Sequence, residues 1–142
     1  MATARILLAE ECGLAPHAAD LFADQPDAPK IVPVKDGARC LTAFVKLVRA
    51  RQAPLLVILD EPLPRLSGRG AALAIRAVER ALDLKPTPLL FYTADAADDA
   101  FKGFLSRLGR AVHLQRPAGA PEEQARRLGV AAGRLLVQLR GK

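Results

Sequence analysis

The sequence predicts a doubly wound α/β domain: a five-stranded parallel sheet with helices on both faces. Three observations predict it. Short β-branched and leucine-rich runs alternate with longer segments in which apolar residues recur at helical spacing. Three of the short runs are almost continuously apolar, as strands covered on both faces are. Pro54, Pro86, Pro88 and Pro121 stand at the borders between the two kinds of segment. A chain of 142 residues that is 51% hydrophobic can bury one core and is too short for two ordinary domains, so residues 1–142 are expected to form a single domain.

In chain order, strands are expected at residues 6–9, 31–34, 55–59, 89–92 and 112–115, and helices at 15–24, 38–51, 68–84, 97–108 and 122–139. Leu41, Phe44, Val45 and Val48 mark the apolar stripe of the second helix, which Asp36-Gly37 introduces. Asp95, Asp98 and Asp99 precede or open the fourth helix, where negative charge suits the helix dipole.

Composition narrows the function classes. The formal net charge is +6, yet Lys46, Arg49, Arg51, Arg69, Arg76, Arg80, Arg107, Arg110, Arg126, Arg127, Arg134 and Arg140 are spread over several helices. No aromatic residues are interleaved to stack on bases, so these side chains are expected on solvated helix faces and nucleic acid is not an expected partner. Cys12 and Cys40 have neither CxxC nor Cys/His spacing, which leaves no disulfide framework or zinc site; both are expected to be small, partly buried residues. No run approaches the roughly 20 apolar residues of a membrane span, the start lacks the pattern of a signal peptide, and a cytoplasmic location is expected.

Open parallel sheets bind ligands beyond the carboxyl ends of their strands, where strand order reverses. The first predicted strand ends in Glu10-Glu11, the third in Asp60, the fourth in Thr93 and the fifth in Arg116-Pro117. Three carboxylates, a hydroxyl and a cation are therefore expected to meet at one rim.

These strand ends carry a resemblance. Residues 56–68, Leu-Val-Ile-Leu-Asp-Glu-Pro-Leu-Pro-Arg-Leu-Ser-Gly, place Pro64 four residues after Asp60 and Gly68 four further on. This resembles the signature of response-regulator receiver domains, as do Glu10-Glu11, Thr93-Ala94 and Arg116-Pro117 at successive strand ends. The resemblance implies a flavodoxin-like (βα)5 fold with strand order 2-1-3-4-5; because the closing helix is expected to run almost to Lys142, no output domain is expected. It implies Asp60 as phosphoacceptor, with Mg²⁺ held by Glu10, Glu11, Asp60 and the Pro62 backbone carbonyl. Thr93, Ala94, Arg116 and His113 would form the phosphoryl-binding and switch positions, and Pro64, Gly68 and Pro117 the structural ones. Pro117 takes the place of a proline preceded by a cis peptide in that family, whereas the local preference of the peptide alone is trans.

The implied function is a phosphorelay switch in two-component signal transduction. It would be partnered by a sensor histidine kinase, a phosphotransfer protein, or a downstream protein docking on the face made by the fourth helix, fifth strand and fifth helix. Lys102, Arg107 and Arg110 would lie on or near that face. No enzymatic activity is expected beyond self-phosphorylation and dephosphorylation at Asp60. Two departures weaken the metal and phosphate chemistry. Glutamate stands at both acidic-pair positions, and Mg²⁺ requires near-octahedral oxygens at roughly 2.0–2.1 Å, which an added methylene disturbs. Arg116 replaces a lysine with a planar fork, and pairing of Arg116 with Asp60 or Glu11 would put a salt bridge where a metal would sit. The alternative function is thus a phosphorylation-independent pseudo-receiver docking module. A metal-dependent phosphatase would need a second aspartate two residues after Asp60, where Pro62 stands, and nucleic-acid binding would rest on net charge alone.

Overall fold

The first strand, β1 (Arg5–Ala9), pairs in parallel with β2 (Lys30–Val34) on one side and β3 (Leu56–Leu59) on the other. Next come β4 (Leu89–Thr93) and β5 (Ala111–Gln115), giving the order β2-β1-β3-β4-β5. The computed structural model describes residues 3–22 and 27–140. Among these residues four α-helices follow in chain order: α1 (Gly37–Arg49), α2 (Gly68–Ala81), α3 (Asp99–Leu108) and α4 (Pro121–Arg140). Among the described residues, no helix is long and apolar enough to cross a membrane.

Each face of the sheet buries alternate residues, as the period of two dictates. Leu7, Ala9, Val57, Leu59 and Phe91 pack with Cys40 and Phe44 of α1, Ile75 of α2 and Phe101 of α3. Ile6, Leu8, Ile58, Leu90 and Tyr92 face the other way, onto Ala125, Leu128 and Ala132 of α4 and onto Leu14, Leu21 and Phe22. The central strands β3 and β4 are buried at every position, which explains their unbroken apolar sequence. Pro33 lies within β2, where a missing backbone donor is tolerated because β2 is an edge strand.

Three helices start on side-chain caps. Asp36 accepts from the Arg39 amide at 2.6 Å, Ser67 from Gly70 at 3.0 Å and Asp98 from Phe101 at 2.8 Å; each satisfies a donor that the first turn leaves without an intrahelical partner.

The helix expected at residues 15–24 is replaced by a six-residue 3-10 helix, Ala15–Asp20; positions 23 and 24 lie outside the described residues. Pro16 occupies its first turn, and the bonds His17 N–H to Leu14 O and Leu21 N–H to Ala18 O close the tighter i to i+3 rings. Apolar spacing does not distinguish a turn or two of 3-10 from α-helix. The helix α4 rests on this segment through Gly129, where a Cβ would fall 1.9 Å from the Leu21 carbonyl oxygen. Only glycine permits that approach.

Candidate functional site

The register sets the site. Ala9, Leu59, Phe91 and His113 lie level across the sheet, so Glu10 and Asp60 are the next residues beyond the carboxyl ends of β1 and β3. Gly68 holds the turn after Asp60 close, since a Cβ there would come 2.1 Å from the Asp60 carbonyl oxygen. Its amide donates to Glu61 O at 3.0 Å. Between them, Arg65 adopts a positive φ of 68° and the Leu66 amide donates to the Pro64 carbonyl at 2.7 Å. The spacing from Asp60 through Pro64 to Gly68 is thus the geometry of one tight return from strand to helix.

Asp60 is buried and both of its carboxylate oxygens are engaged. Oδ1 accepts from the Glu61 amide at 2.8 Å, and Oδ2 accepts from Arg116 Nη1 at 3.0 Å. The same Nη1 donates to the Tyr92 carbonyl at 3.1 Å. Arg116 is placed for this by the β4–β5 ladder, which its amide extends by donating to Thr93 O at 2.6 Å. Only 11% of the Arg116 side chain and 7% of the Asp60 side chain are exposed, which makes this a buried pair. The Arg116–Pro117 peptide is trans, in line with the local preference.

Asp60, Pro62, Thr93, Ala94 and Arg116 line one cavity of about 250 Å³. Glu10 and Glu11 line a different one of about 570 Å³, with Pro33 and Lys35. Glu10 is buried with its carboxylate turned to the main chain, accepting from the Leu14 amide at 3.2 Å and the Ala15 amide at 2.7 Å. It thereby caps the start of the 3-10 segment. Glu11 is exposed. The expected convergence holds for Asp60, Thr93 and Arg116, while the glutamate pair is directed elsewhere.

Cys12 stands beside both groups. Burial pushes its thiol up to about 11, Arg116 opposes the rise, and Glu10 and Asp60 add to it. From the sequence Cys12 is no more than a small, partly buried residue, and nothing in its spacing signals this neighbourhood.

Thr93 is buried, and its hydroxyl lies 3.1 Å from Asp95 O and 2.8 Å from His113 Nε2. When the hydroxyl proton goes to the Asp95 carbonyl, His113 is the donor to Thr93. The imidazole meets the Phe101 ring edge-on at 5.5 Å, so His113 is half-buried between β5 and α3. The Ala94 carbonyl accepts from Gln115 Nε2 at 3.0 Å.

Two further residues of this cavity were not singled out in the sequence. Glu61 accepts from the Arg69 amide at 2.9 Å and pairs with Arg69 Nε at 3.0 Å. Burial raises the Glu61 pKa, and the Arg69 amide and guanidinium oppose that rise. Arg69 also lies 4.8 Å from the Phe101 ring centre. The expectation of solvated arginines fails more completely at Arg76, which is buried with Glu79.

An Mg²⁺ site needs several oxygens free to turn toward one point. The residues present do not fit that requirement. Both Glu10 oxygens cap backbone amides, Asp60 is shared between an amide and a guanidinium, and among the described residues no three His, Cys, Asp or Glu side chains are grouped to hold a metal ion. The positive charge that would neutralise Asp60 is supplied by Arg116.

No protein-family model and no curated protein matches the sequence. Solved structures do match the fold. The response regulator domain of Thermotoga maritima CheB is 21% identical with a TM-score of 0.68, covering 96% of this chain and 96% of that one. A point mutant of the receiver domain of the histidine kinase CKI1 from Arabidopsis thaliana is 14% identical, has a TM-score of 0.74 and covers 98% and 91%. The Mn²⁺-bound form of response regulator Rcp1 is 19% identical, with a TM-score of 0.68 and coverage of 93% and 94%. The fold is that of response-regulator receiver domains.

Proposed function

We propose that this chain is a receiver-fold docking module of two-component signalling that works without phosphorylation of Asp60. The observation that carries the reading is the Arg116–Asp60 bond, 3.0 Å long and almost wholly buried. A carboxylate oxygen that accepts from a fixed guanidinium is not free to attack phosphorus, and moving the guanidinium away would leave the carboxylate buried and unpaired. Glu10 supports the same reading, since its two oxygens are committed to the Leu14 and Ala15 amides. The Rcp1 neighbour is a Mn²⁺-bound form; this chain, by contrast, uses Arg116 where a cation would stand. Its partner is a protein that reads its surface, and no catalytic turnover is required of it.

The competing reading keeps Asp60 as phosphoacceptor, with Thr93 and Arg116 holding the product. It is favoured by the cavity that all three line. Intact mass after exposure to acetyl phosphate, with and without Mg²⁺, separates the two. Wild type and Asp60→Asn are each expected to keep their own unmodified mass, with no phosphoryl adduct on either. A phosphoryl adduct that forms on wild type with Mg²⁺ and is lost in Asp60→Asn would establish the phosphoacceptor instead.

A further inference from the structure

We infer that the outward face of α1 and α2 is a docking surface, and that its occupant is an acidic amphipathic helix of a partner protein. The inference rests on the reading of the chain as a docking module and adds where the partner lies and by what chemistry it is held. This face is distinct from the one formed by α3, β5 and α4. The two helices pack side by side on one face of the sheet, through Cys40 and Phe44 of α1 and Ala71, Ala72 and Ile75 of α2. Residues that point away from the sheet on both helices therefore share one surface. On α1 these are Arg39, Thr42, Lys46 and Arg49, all exposed, with Val45 half-buried beside them. On α2 they are Leu73, which is 54% exposed, Ala77 and Arg80.

Charge on this surface has one sign. Neither helix contains a carboxylate other than Glu79, and Glu79 is buried with Arg76. Asp36, which caps α1, is buried as well and is shared between Arg39 and Arg65 at 3.5 and 3.6 Å, while those two side chains stay 65% and 72% exposed. One shielded carboxylate thus offsets only part of the charge, and Asp83, which is exposed, stands beyond the end of α2. The cations are spaced as a helix would meet them. Arg39, Lys46 and Arg49 stand seven and three residues apart on one side of α1, about 10 and 5 Å along its axis. Glutamates at the same spacing on a facing helix reproduce those intervals. A second copy of the chain related by a two-fold axis would set arginine against arginine. Nucleic acid would pair with the cations alone: neither helix presents an Asn, Gln or aromatic side chain to read or stack on bases, and Leu73 would be left without an apolar partner. An anionic bilayer would neutralise the charge, but one leucine and an alanine bury little area in its acyl boundary. An acidic helix with a leucine stripe meets both the cations and Leu73.

The test uses a fluorescein-labelled peptide of about 16 residues with leucines at i, i+4 and i+7 and glutamates flanking them. A control peptide carries lysine at every glutamate position. The full chain should bind the acidic peptide and not the basic one. Raising salt from about 50 mM to about 500 mM should weaken binding, because exposed charges are screened. Lys46→Glu and Leu73→Asp, both at exposed positions, should each weaken it about tenfold or more, equivalent to about 1.4 kcal/mol. Val130→Asp, at an exposed position of α4, should leave it unchanged. No binding, equal binding of both peptides, binding unaffected by Lys46→Glu or Leu73→Asp, or binding lost in Val130→Asp would overturn the inference. So would self-association in light scattering that Lys46→Glu abolishes, or duplex DNA or anionic vesicles bound through Lys46 and Leu73. Peptide binding is read without any phosphodonor, so its failure is distinct from an adduct at Asp60, which would remove the phosphate-independent reading and leave this surface standing.

Discussion

Among the described residues two arginine–carboxylate pairs are buried, one on α2 and one at the strand rim, and they are built alike. Arg76 donates to Glu79 Oε1 at 2.7 Å, to Leu108 O at 3.1 Å and to Gly109 O at 2.7 Å, while Glu79 Oε2 accepts from the Thr87 amide at 2.5 Å. That pair ties α2 to the end of α3 and to the approach to β4. Arg116 likewise spends one nitrogen on Asp60 and on a backbone carbonyl, tying the end of β3 to those of β4 and β5. Their exposures differ little, 5% and 3% for Arg76 and Glu79 against 11% and 7% for Arg116 and Asp60. The comparison teaches that the rim pair has the construction of a structural brace, although it stands where this fold places its ligands.

The largest effect is expected where the brace is most buried. Glu79→Ala should cost about 3–5 kcal/mol, because it strands the Arg76 charge in the interior. At the few degrees per kcal/mol that suit a domain of this size, melting should fall by about 10 °C or more. Urea denaturation that places the loss below about 1 kcal/mol would break the likeness at its stronger end.

Arg116→Met should cost about 2–3 kcal/mol by leaving Asp60 buried without its cation. Asp60→Asn should cost less, since the amide oxygen still accepts from Glu61 N–H and Arg116 keeps the Tyr92 carbonyl. If Asp60→Asn instead stabilised the protein, Asp60 would be a strained functional carboxylate and not half of a brace.

The thiol beside the rim gives a third, smaller effect. Cys12 is neutral in the fold to about pH 11, against an ordinary value of 9.0. A raised thiol pKa stabilises the fold fully below pH 9; that contribution is lost as pH climbs through about 11, when the folded thiol also ionises. In a Cys40→Ala background, alkylation of Cys12 should be slow at pH 8 and accelerate towards pH 11. Because Arg116 lowers this pKa, Arg116→Met should delay that acceleration to higher pH. An unchanged profile would separate Cys12 from the brace.

The smallest effect sets the scale for both pairs. Ser67→Ala removes one neutral cap bond, at α2, and should cost about 1 kcal/mol in the same denaturation series.

Much of the rim was legible because parallel strands deliver their last residues to one edge, so Asp60, Thr93 and Arg116 could be brought together from strand ends alone. Their internal bonding was not legible. Whether Arg116 points at Asp60 depends on one rotamer, and the turn of Glu10 towards Leu14 and Ala15 depends on the 3-10 segment, which apolar spacing presents as an ordinary helix. Arg76 and Glu79, three residues apart, look like an exposed ion pair until the ends of α3 and β4 close over them. The seating of α4 hangs on Gly129, whose meaning is supplied by Leu21, more than a hundred residues away in the chain.

A double-mutant cycle across Asp60→Asn and Arg116→Met, measured by urea denaturation with and without Mg²⁺, addresses the brace most directly. Coupling of about 1.5 kcal/mol or more, unchanged by Mg²⁺, is the predicted result. Coupling near zero, or wild-type stability that rises with Mg²⁺ in proportion to binding at Asp60, would show that the two side chains stand apart and that the rim is an open cation site.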